Sequence, residues 1–349
     1  MVAAYLPGDA VGNASRRIQA ALRQWGYASD IYTGHPAGGV PGEAYPYHDY
    51  PVEHLDRDGL VVHYSVGSPA MEHALRARVK RAMIYHNITP AEFFEGYSAH
   101  MVAWLDRGRE ELRAMRSQFA IAVGVSAYNA QELRDAGYAD VRVLPIVASF
   151  EDLAVAPSRR VLAAMRGPER RVIFVGRISP NKKQDDLITA FAHYQRINPR
   201  SRLVLIGGFE PEEPYYRQVR QWATDVGAKS VEFTGRVMQA ELNAYYQSAN
   251  LFVSMSEHEG FGIPLLEAMY FGVPVLAYKA AAVSETMGGA GVLFTEKRYP
   301  EIAEMMDVLV EDQELRARII ERQRKRVEDF APEQIMRQFA EVIAEFEAA

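Results

Sequence analysis

Short apolar runs alternate with amphipathic helical patterns along this chain, and the alternation runs through twice. In the first half, residues 2–6, 29–32, 60–64, 82–86, 119–125 and 141–144 read as strands, with amphipathic segments such as 15–25 and 100–117 between them. The pattern starts again at 172–175 and continues at 202–206, 231–234, 251–255 and 275–277, with a last short strand at 291–294. A strand followed by a crossing helix returns parallel to its predecessor, so the expected fold class is α/β, with two doubly wound parallel sheets covered by helices. A chain of 349 residues is too long for one ordinary core and natural for two. The joint falls within 145–168, which holds Pro157, an arginine pair and a Gly-Pro, with a helical turn at 161–165. The expected domains are 1–150 and 151–331. Residues 332–349 form an amphipathic helix with Ile335, Phe339, Val342, Ile343 and Phe346 on one side, expected to return to the first domain.

Composition removes several kinds of chemistry. Cysteine is absent, so a disulfide, a zinc thiolate and a thiol nucleophile are excluded. The net charge of −6 argues against nucleic acid as a partner. With 48% hydrophobic and 24% charged residues the chain reads as globular, and no window approaches the ~20 apolar residues of a membrane span. Its first nine residues do not read as a secretory leader: a basic start is missing, and Gly8 and Asp9 interrupt the apolar run. A cytoplasmic location is expected.

In doubly wound sheets, ligands gather beyond the carboxyl ends of the strands. Two stretches sit at such ends. The first is Ser256-Glu257-His258-Glu259-Gly260-Phe261-Gly262-Ile263-Pro264-Leu265-Leu266-Glu267-Ala268-Met269, between the strand at 251–255 and an apolar helix. A glycine turn entering a helix offers backbone N–H groups and the positive end of a dipole to an anion. Glu259 and Glu267 on either side can accept hydrogen bonds from sugar hydroxyls. Phosphate and hydroxyls together suggest a nucleotide-sugar. The second stretch runs from Phe174 to Leu187. Its strand ends at Gly176, and Arg177 and Lys182 then follow five residues apart. They can converge on a diphosphate, arginine as a fork and lysine as a point charge. Taken singly, each of these residues reads as part of a solvated loop or helix face; only their joint pattern points to a site. Asp185-Asp186 looks like a metal pair, but it stands where acidic residues favour a helix N-terminus and reads as structural; no metal site is expected.

Gly-Arg-x4-Lys at 176–182, Glu-Gly-Phe-Gly-x4-Glu-Ala-Met at 259–269 and Gly272-Val273-Pro274-Val275 occur in that order. Together they resemble the retaining glycosyltransferases of family 4. The segments Glu232-Phe233-Thr234-Gly235-Arg236-Val237 and Ala282-Val283-Ser284-Glu285-Thr286 fit the same pattern. In the first half, Tyr85-His86-Asn87-Ile88-Thr89-Pro90 and Leu144-Pro145-Ile146 resemble the subset that builds bacterial surface polysaccharides. The resemblance implies a GT-B fold, with two Rossmann-like domains facing across a cleft, the first for the acceptor and the second for the nucleotide-sugar. It assigns Arg177 and Lys182 to the donor diphosphate, Glu267 to the ribose hydroxyls and Glu259 to the donor sugar. It assigns the backbone of Gly260, Phe261 and Gly262 to that sugar, and the amides of Leu265 and Leu266 to the phosphates. Gly12, in the loop after the first strand, would let backbone approach the diphosphate, and Val237 lies where the base is met. His86 would contact the sugar close to its reacting carbon. His63 also ends a strand and stays open between a site and a structural role, as do Ser126 and Asn129, the former because serine caps helices.

The expected reaction is transfer of a hexose, from GDP-mannose or a UDP-hexose, to a glycan or lipid-linked saccharide. The anomeric configuration is kept by same-face substitution, with neither metal nor cofactor. Arg177, Lys182, Glu259 and His86 are the catalytic candidates. Arg76, Arg78, Lys80 and Arg81 precede Phe93, Phe94, Tyr97 and Trp104, and this basic and aromatic run reads either as a peripheral membrane contact or as an ordinary helix face and core. A nucleotide-sugar epimerase of the same fold, or a nucleotide-sugar-binding protein without turnover, are the alternatives.

Overall fold

The computed structural model describes residues 1–5, 10–34, 43–53, 58–146, 148 and 150–349. The chain divides into two compact units: unit 1 holds Met1–Glu92, Ala99–Ser149 and Phe330–Ala349, and unit 2 holds Phe93–Ser98 and Phe150–Asp329.

Unit 1 contains α1 (Ala10–Gln24), β1 (Tyr32–Thr33), β2 (Tyr45–Pro46), β3 (Gly59–Tyr64), α2 (Pro69–Arg76), β4 (Lys80–Tyr85), α3 (Ala99–Ala114), β5 (Ile121–Gly124), α4 (Ala127–Asp135) and β6 (Val141–Val143). Strands β3-β4-β5-β6 form a parallel sheet in that order, and β1 pairs with β2. Residue 6 of the strand expected at 2–6 lies outside the described residues, and among residues 2–5 one bridges: Val2 pairs in parallel with both Thr33 and His63 and so links the two sheets. The inner strands are buried on both faces, as parallel sheets are: Ile121–Gly124 is buried throughout. Helix starts follow local chemistry. Ser68 and Ser126 accept from the amides of Met71 (3.2 Å) and Asn129 (3.1 Å), each satisfying a first-turn donor.

Unit 2 contains α5 (Phe150–Leu153), α6 (Arg159–Ala164), β7 (Arg170–Val175), α7 (Gln184–Ile197), β8 (Ser201–Ile206), α8 (Pro214–Asp225), β9 (Val231–Gly235), α9 (Gln239–Ser248), β10 (Leu251–Ser254), α10 (Ile263–Tyr270), β11 (Val275–Tyr278), α11 (Val283–Met287), β12 (Val292–Phe294), α12 (Tyr299–Glu311) and α13 (Gln313–Glu328). All its strand pairs are parallel, in the order β12-β11-β10-β7-β8-β9. The order reverses between β7 and β10, which are neighbours in space. That reversal opens a crevice at the carboxyl ends of exactly two strands, and it is where such sheets bind ligands. Close packing there requires glycine: a Cβ on Gly207, at the end of β8, would stand 2.1 Å from the Gly176 carbonyl oxygen.

The last helix, α14 (Pro332–Ala348), buries Ile335, Phe339, Val342, Ile343 and Phe346 within unit 1. Its C-terminal carbonyls are satisfied by a side chain: Lys80 Nζ donates to the carbonyls of Phe346 (2.8 Å) and Glu347 (3.0 Å). Arg81 likewise serves helix ends, donating to the carbonyls of Ala74 (2.8 Å), Leu75 (2.9 Å), Ala77 and Gln118 (3.3 Å). Two of the four cations in the basic run are thus structural. Phe93 and Tyr97 belong to unit 2, where their rings lie 6.2 Å from His258 and 5.3 Å from Tyr215.

Candidate functional site

The loops that follow β7 and β10 bring Lys182 and Glu259 together. Lys182 lies on a single 3₁₀ turn, Pro180–Lys182. Its ammonium is 2.7 Å from Glu259 Oε2, with the two side chains 20% and 15% exposed. An ion pair so far withdrawn from water is screened much less than one on an open surface. The backbone stitches the same loops. Glu257 N–H donates to the Asn181 carbonyl (2.9 Å), and Asn181 Nδ2 donates to the His258 carbonyl (3.2 Å). Ser179 Oγ donates to Asn181 Oδ1 at 2.8 Å and orients that amide. After the turn, Lys183 takes the left-handed conformation (φ 52°, ψ 49°), uncommon for a residue with a side chain, and α7 begins at the next residue.

Arg177 follows Gly176 but is held elsewhere: its guanidinium pairs with Glu213 near the start of α8, and the side chain is 62% exposed. The arginine and the lysine of the motif are therefore in different electrostatic states, one at the surface and one in the crevice.

The glycine turn enters α10 as its sequence demands. Gly262 caps the helix in the left-handed conformation (φ 89°), and Pro264 occupies the first turn, where a missing N–H costs nothing. Phe261 is buried, and its carbonyl accepts from Thr286 Oγ1. The Glu259 carbonyl accepts from Ala282 N–H at 3.2 Å. The Leu265 amide donates to the Gly262 carbonyl at 2.9 Å, so in this structure it closes the first turn. Leu266 is fully buried in α10.

Glu267, one helical turn later, accepts a hydrogen bond from the buried Tyr246 hydroxyl at 2.8 Å. Burial pushes the Glu267 carboxyl up to about 7, against the Tyr246 bond that favours its charged form, with the Asp152 charge raising it further. Burial first, and Glu267 second, hold the Tyr246 phenol well above its ordinary range. Val237, just beyond β9, is partly buried against the core, and the next residue, Met238, is 75% exposed.

In unit 1, His63 of β3 and His86, just after β4, stand on adjacent strands, with His63 Nδ1 2.8 Å from His86 Nε2. One proton can lie between those nitrogens, so the bond also decides which nitrogen of His86 remains for another partner. Burial lowers His86 to about 4; burial, then His86 itself, lower His63 well below the ordinary value. Both are neutral at pH 7. The turn after His86 is rigid: Asn87 is left-handed (φ 88°), and its amide donates to Asn129 Oδ1 (2.7 Å) and Glu132 Oε2 (2.6 Å). Ser126 is the cap of α4 and Asn129 a partner of Asn87, which gives both a structural place. Gly12 is buried within the first turn of α1 rather than in the preceding loop, whose residues 6–9 lie outside the described ones.

Several participants have partners that no local sequence signal names. Tyr246, Asn181 and Glu213 reach their partners from separate elements. Lys297 contacts Asp186 at 2.6 Å and Glu257 at 2.5 Å, across 111 and 40 positions of chain. Only the rule that loops at the carboxyl ends of parallel strands converge could have nominated it, since it follows β12.

Residues 163–326, just under half of the chain, match the family model described as glycosyl transferases group 1. A GDP-mannose-dependent alpha-(1-6)-phosphatidylinositol monomannoside mannosyltransferase of Mycobacterium tuberculosis is 29% identical over 232 residues, 62% of this chain and 59% of the relative. The chain thus spans less than two thirds of that relative's length. Among solved structures, Anabaena HepE in complex with UDP and glucose superposes with a TM-score of 0.73 at 20% identity, covering 98% of each chain. Sucrose-phosphate synthase from Thermosynechococcus elongatus gives 0.76 at 19% identity, covering 97% of this chain and 93% of that one. At such identities the likeness shows the fold, which is GT-B, with two Rossmann-like units. The crevice between β7 and β10, with its Lys182–Glu259 pair, falls inside the region, residues 163–326, that is similar to the glycosyl transferases group 1.

Proposed function

We propose that this protein is a retaining glycosyltransferase that moves a hexose from a nucleoside diphosphate sugar to a glycan or lipid-linked saccharide. The observation that carries the reading is the Lys182–Glu259 pair at 2.7 Å, placed at the strand-order reversal of unit 2 beside the left-handed Gly262 turn. A cation for phosphate and a carboxylate for hydroxyls are what a sugar nucleotide requires of one crevice.

On binding, the diphosphate replaces Glu259 as the partner of Lys182, and Glu259 is released to accept from hydroxyls of the donor sugar. Arg177 leaves Glu213 for the diphosphate; the exposure of that pair keeps the exchange inexpensive. Glu267 as a carboxylate accepts from the ribose hydroxyls. The bond from the sugar's anomeric carbon to the phosphate oxygen then breaks, and the acceptor oxygen bonds to that carbon on the same face. The acceptor's proton passes to the departing phosphate oxygen, and a nucleoside diphosphate leaves. Fixed positive charge at Lys182 and Arg177 stabilises the charge that develops there, without need of a metal. His86, neutral at pH 7, serves as a hydrogen-bonding contact to the sugar rather than as a cation.

GDP-mannose is the favoured donor, on the strength of the mannosyltransferase relative, with UDP-glucose next because HepE was solved with UDP and glucose. Thermal-shift screening against GDP-, UDP-, ADP- and dTDP-sugars tests this. A donor at 100 times its dissociation constant stabilises by roughly 2.7 kcal/mol, and should then release nucleoside diphosphate when a saccharide acceptor is added. Stabilisation without release, with any acceptor tried, would make the protein a binder. Release with EDTA present is expected to be undiminished.

A further inference from the structure

The loops that hold Lys182 and Glu259 are joined by a third segment that the proposed chemistry does not use. Lys297, between β12 and α12, places its ammonium 2.6 Å from Asp186 Oδ2 and 2.5 Å from Glu257 Oε1, and 4.7 Å from the centre of the Tyr278 ring. Asp186 lies in the first turn of α7, which follows the turn of Lys182 and Lys183. Glu257 stands two residues before Glu259. The remaining oxygens are also taken: Tyr299 donates to Asp186 Oδ1 at 2.7 Å, and Lys183 lies 3.6 Å from Glu257 Oε2. Lys297 is 14% exposed, Asp186 18% and Glu257 31%.

Two carboxylates from different loops therefore share one ammonium in a half-dry place. Without it they repel each other, Asp186 keeps only the Tyr299 hydroxyl, and Glu257 keeps only the more distant Lys183. The nearest remaining cation for Glu257 is Lys183, which adjoins Lys182 and already sits in a strained left-handed conformation. A backbone shift that carries Lys183 toward Glu257 also moves the adjoining Lys182, which pairs with Glu259.

We propose that Lys297 is a positioning residue, which clamps Asp186 to Glu257 and so holds Lys182 and Glu259 in the register that receives the donor diphosphate and sugar. This rests on the reading of Lys182 as the diphosphate cation. Lys297 touches no reacting atom; it acts through Lys182.

Five proteins test it: wild type, Lys297→Met, Lys182→Ala, the double variant, and Lys297→Arg as a charge-keeping control that also guards against misfolding. Lys297→Met should lower kcat by up to about 100-fold, the size expected of a misplacement near 1 Å. Donor KM should rise as well, by several-fold, because Lys182 meets the diphosphate as soon as the donor is bound. Lys297→Arg should recover most of the rate. In the Lys182→Ala background the substitution should cost nothing further. A cost that persists undiminished in that background, or a Lys297→Met enzyme equal to wild type, overturns the proposal. If wild type transfers no sugar from any donor, the glycosyltransferase reading falls by itself. The same cycle is then read from calorimetric binding of UDP and GDP, where coupling between Lys297 and Lys182 must still be seen and its absence overturns the clamp.

Discussion

The two units share one construction rule and gather different groups at the carboxyl ends of their parallel strands. In unit 2, cations and carboxylates from the loops after β7, β10 and β12 meet each other: Lys182 with Glu259, and Lys297 with Asp186 and Glu257. In unit 1, Lys80 and Arg81 are spent on helix-end carbonyls, and what gathers at the carboxyl ends of β3 and β4 is a pair of neutral histidines. A cluster of paired charges can exchange partners with a charged ligand at small cost. A guanidinium that caps helix ends cannot leave without orphaning carbonyls. The comparison separates charge kept ready for a ligand from charge that holds the chain together.

The strongest attempt to break that contrast is Lys182→Ala. Loss of the crevice cation should remove roughly 2–4 kcal/mol of transition-state stabilisation, read as nucleoside diphosphate release. Near-normal turnover would return Lys182 to the class of structural cations. Next comes Arg81→Ala. It should lower unfolding stability by about 1–3 kcal/mol in denaturant melts, because several carbonyls lose their donor. Transfer by the folded fraction should be unchanged. A loss of liposome co-sedimentation at unchanged stability would instead give Arg81 to a membrane surface.

Glu267 sharpens the comparison within unit 2. Its carboxyl titrates at about 7, and only the ionised form can accept from both ribose hydroxyls. Affinity for UDP or GDP should therefore rise with pH through about 7, by at most about tenfold per unit, and level off above it. Tyr246→Phe removes a bond that favours the charged form, so the midpoint should move upward. Glu267→Gln should flatten the profile; a profile unchanged in that variant places the titrating group elsewhere. The smallest effect is expected from Glu213→Gln, which frees Arg177. An exposed pair is worth about 1 kcal/mol or less, so nucleotide affinity should tighten by a few-fold at most in calorimetry. Weaker binding would show that Glu213 aims Arg177 rather than occupies it.

Much of unit 2 is legible in the residue order because its signals are local. Gly262 and Pro264 announce a left-handed cap and a helix start, and Gly176 ends a strand whose apolar run is unmistakable. Arg177 and Lys182 look alike in sequence and differ in place, since Glu213 and Glu259 arrive from elsewhere. The first strand of unit 1 shows the converse: the described residues of an apolar run at 2–6 hold a single bridging one, because pairing depends on neighbours that the run does not contain. Gly12 reads as loop and stands in α1 for the same reason.

Periodicity and turn chemistry act over a few residues, so the chain by itself determined two parallel α/β units, the glycine turn at 260–262 and the residue types that can meet a sugar nucleotide. Only the tertiary structure decided which of them meet. The reversal of strand order puts β7 beside β10, and that adjacency alone sets Lys182 on Glu259. Packing elsewhere drew Lys297 to Asp186 and Glu257 and Tyr246 to Glu267, and the pairing of β3 with β4 drew His63 to His86. Partial burial then decided their charge states, because the cost of an ion depends on the water it loses, which no spacing along a chain records.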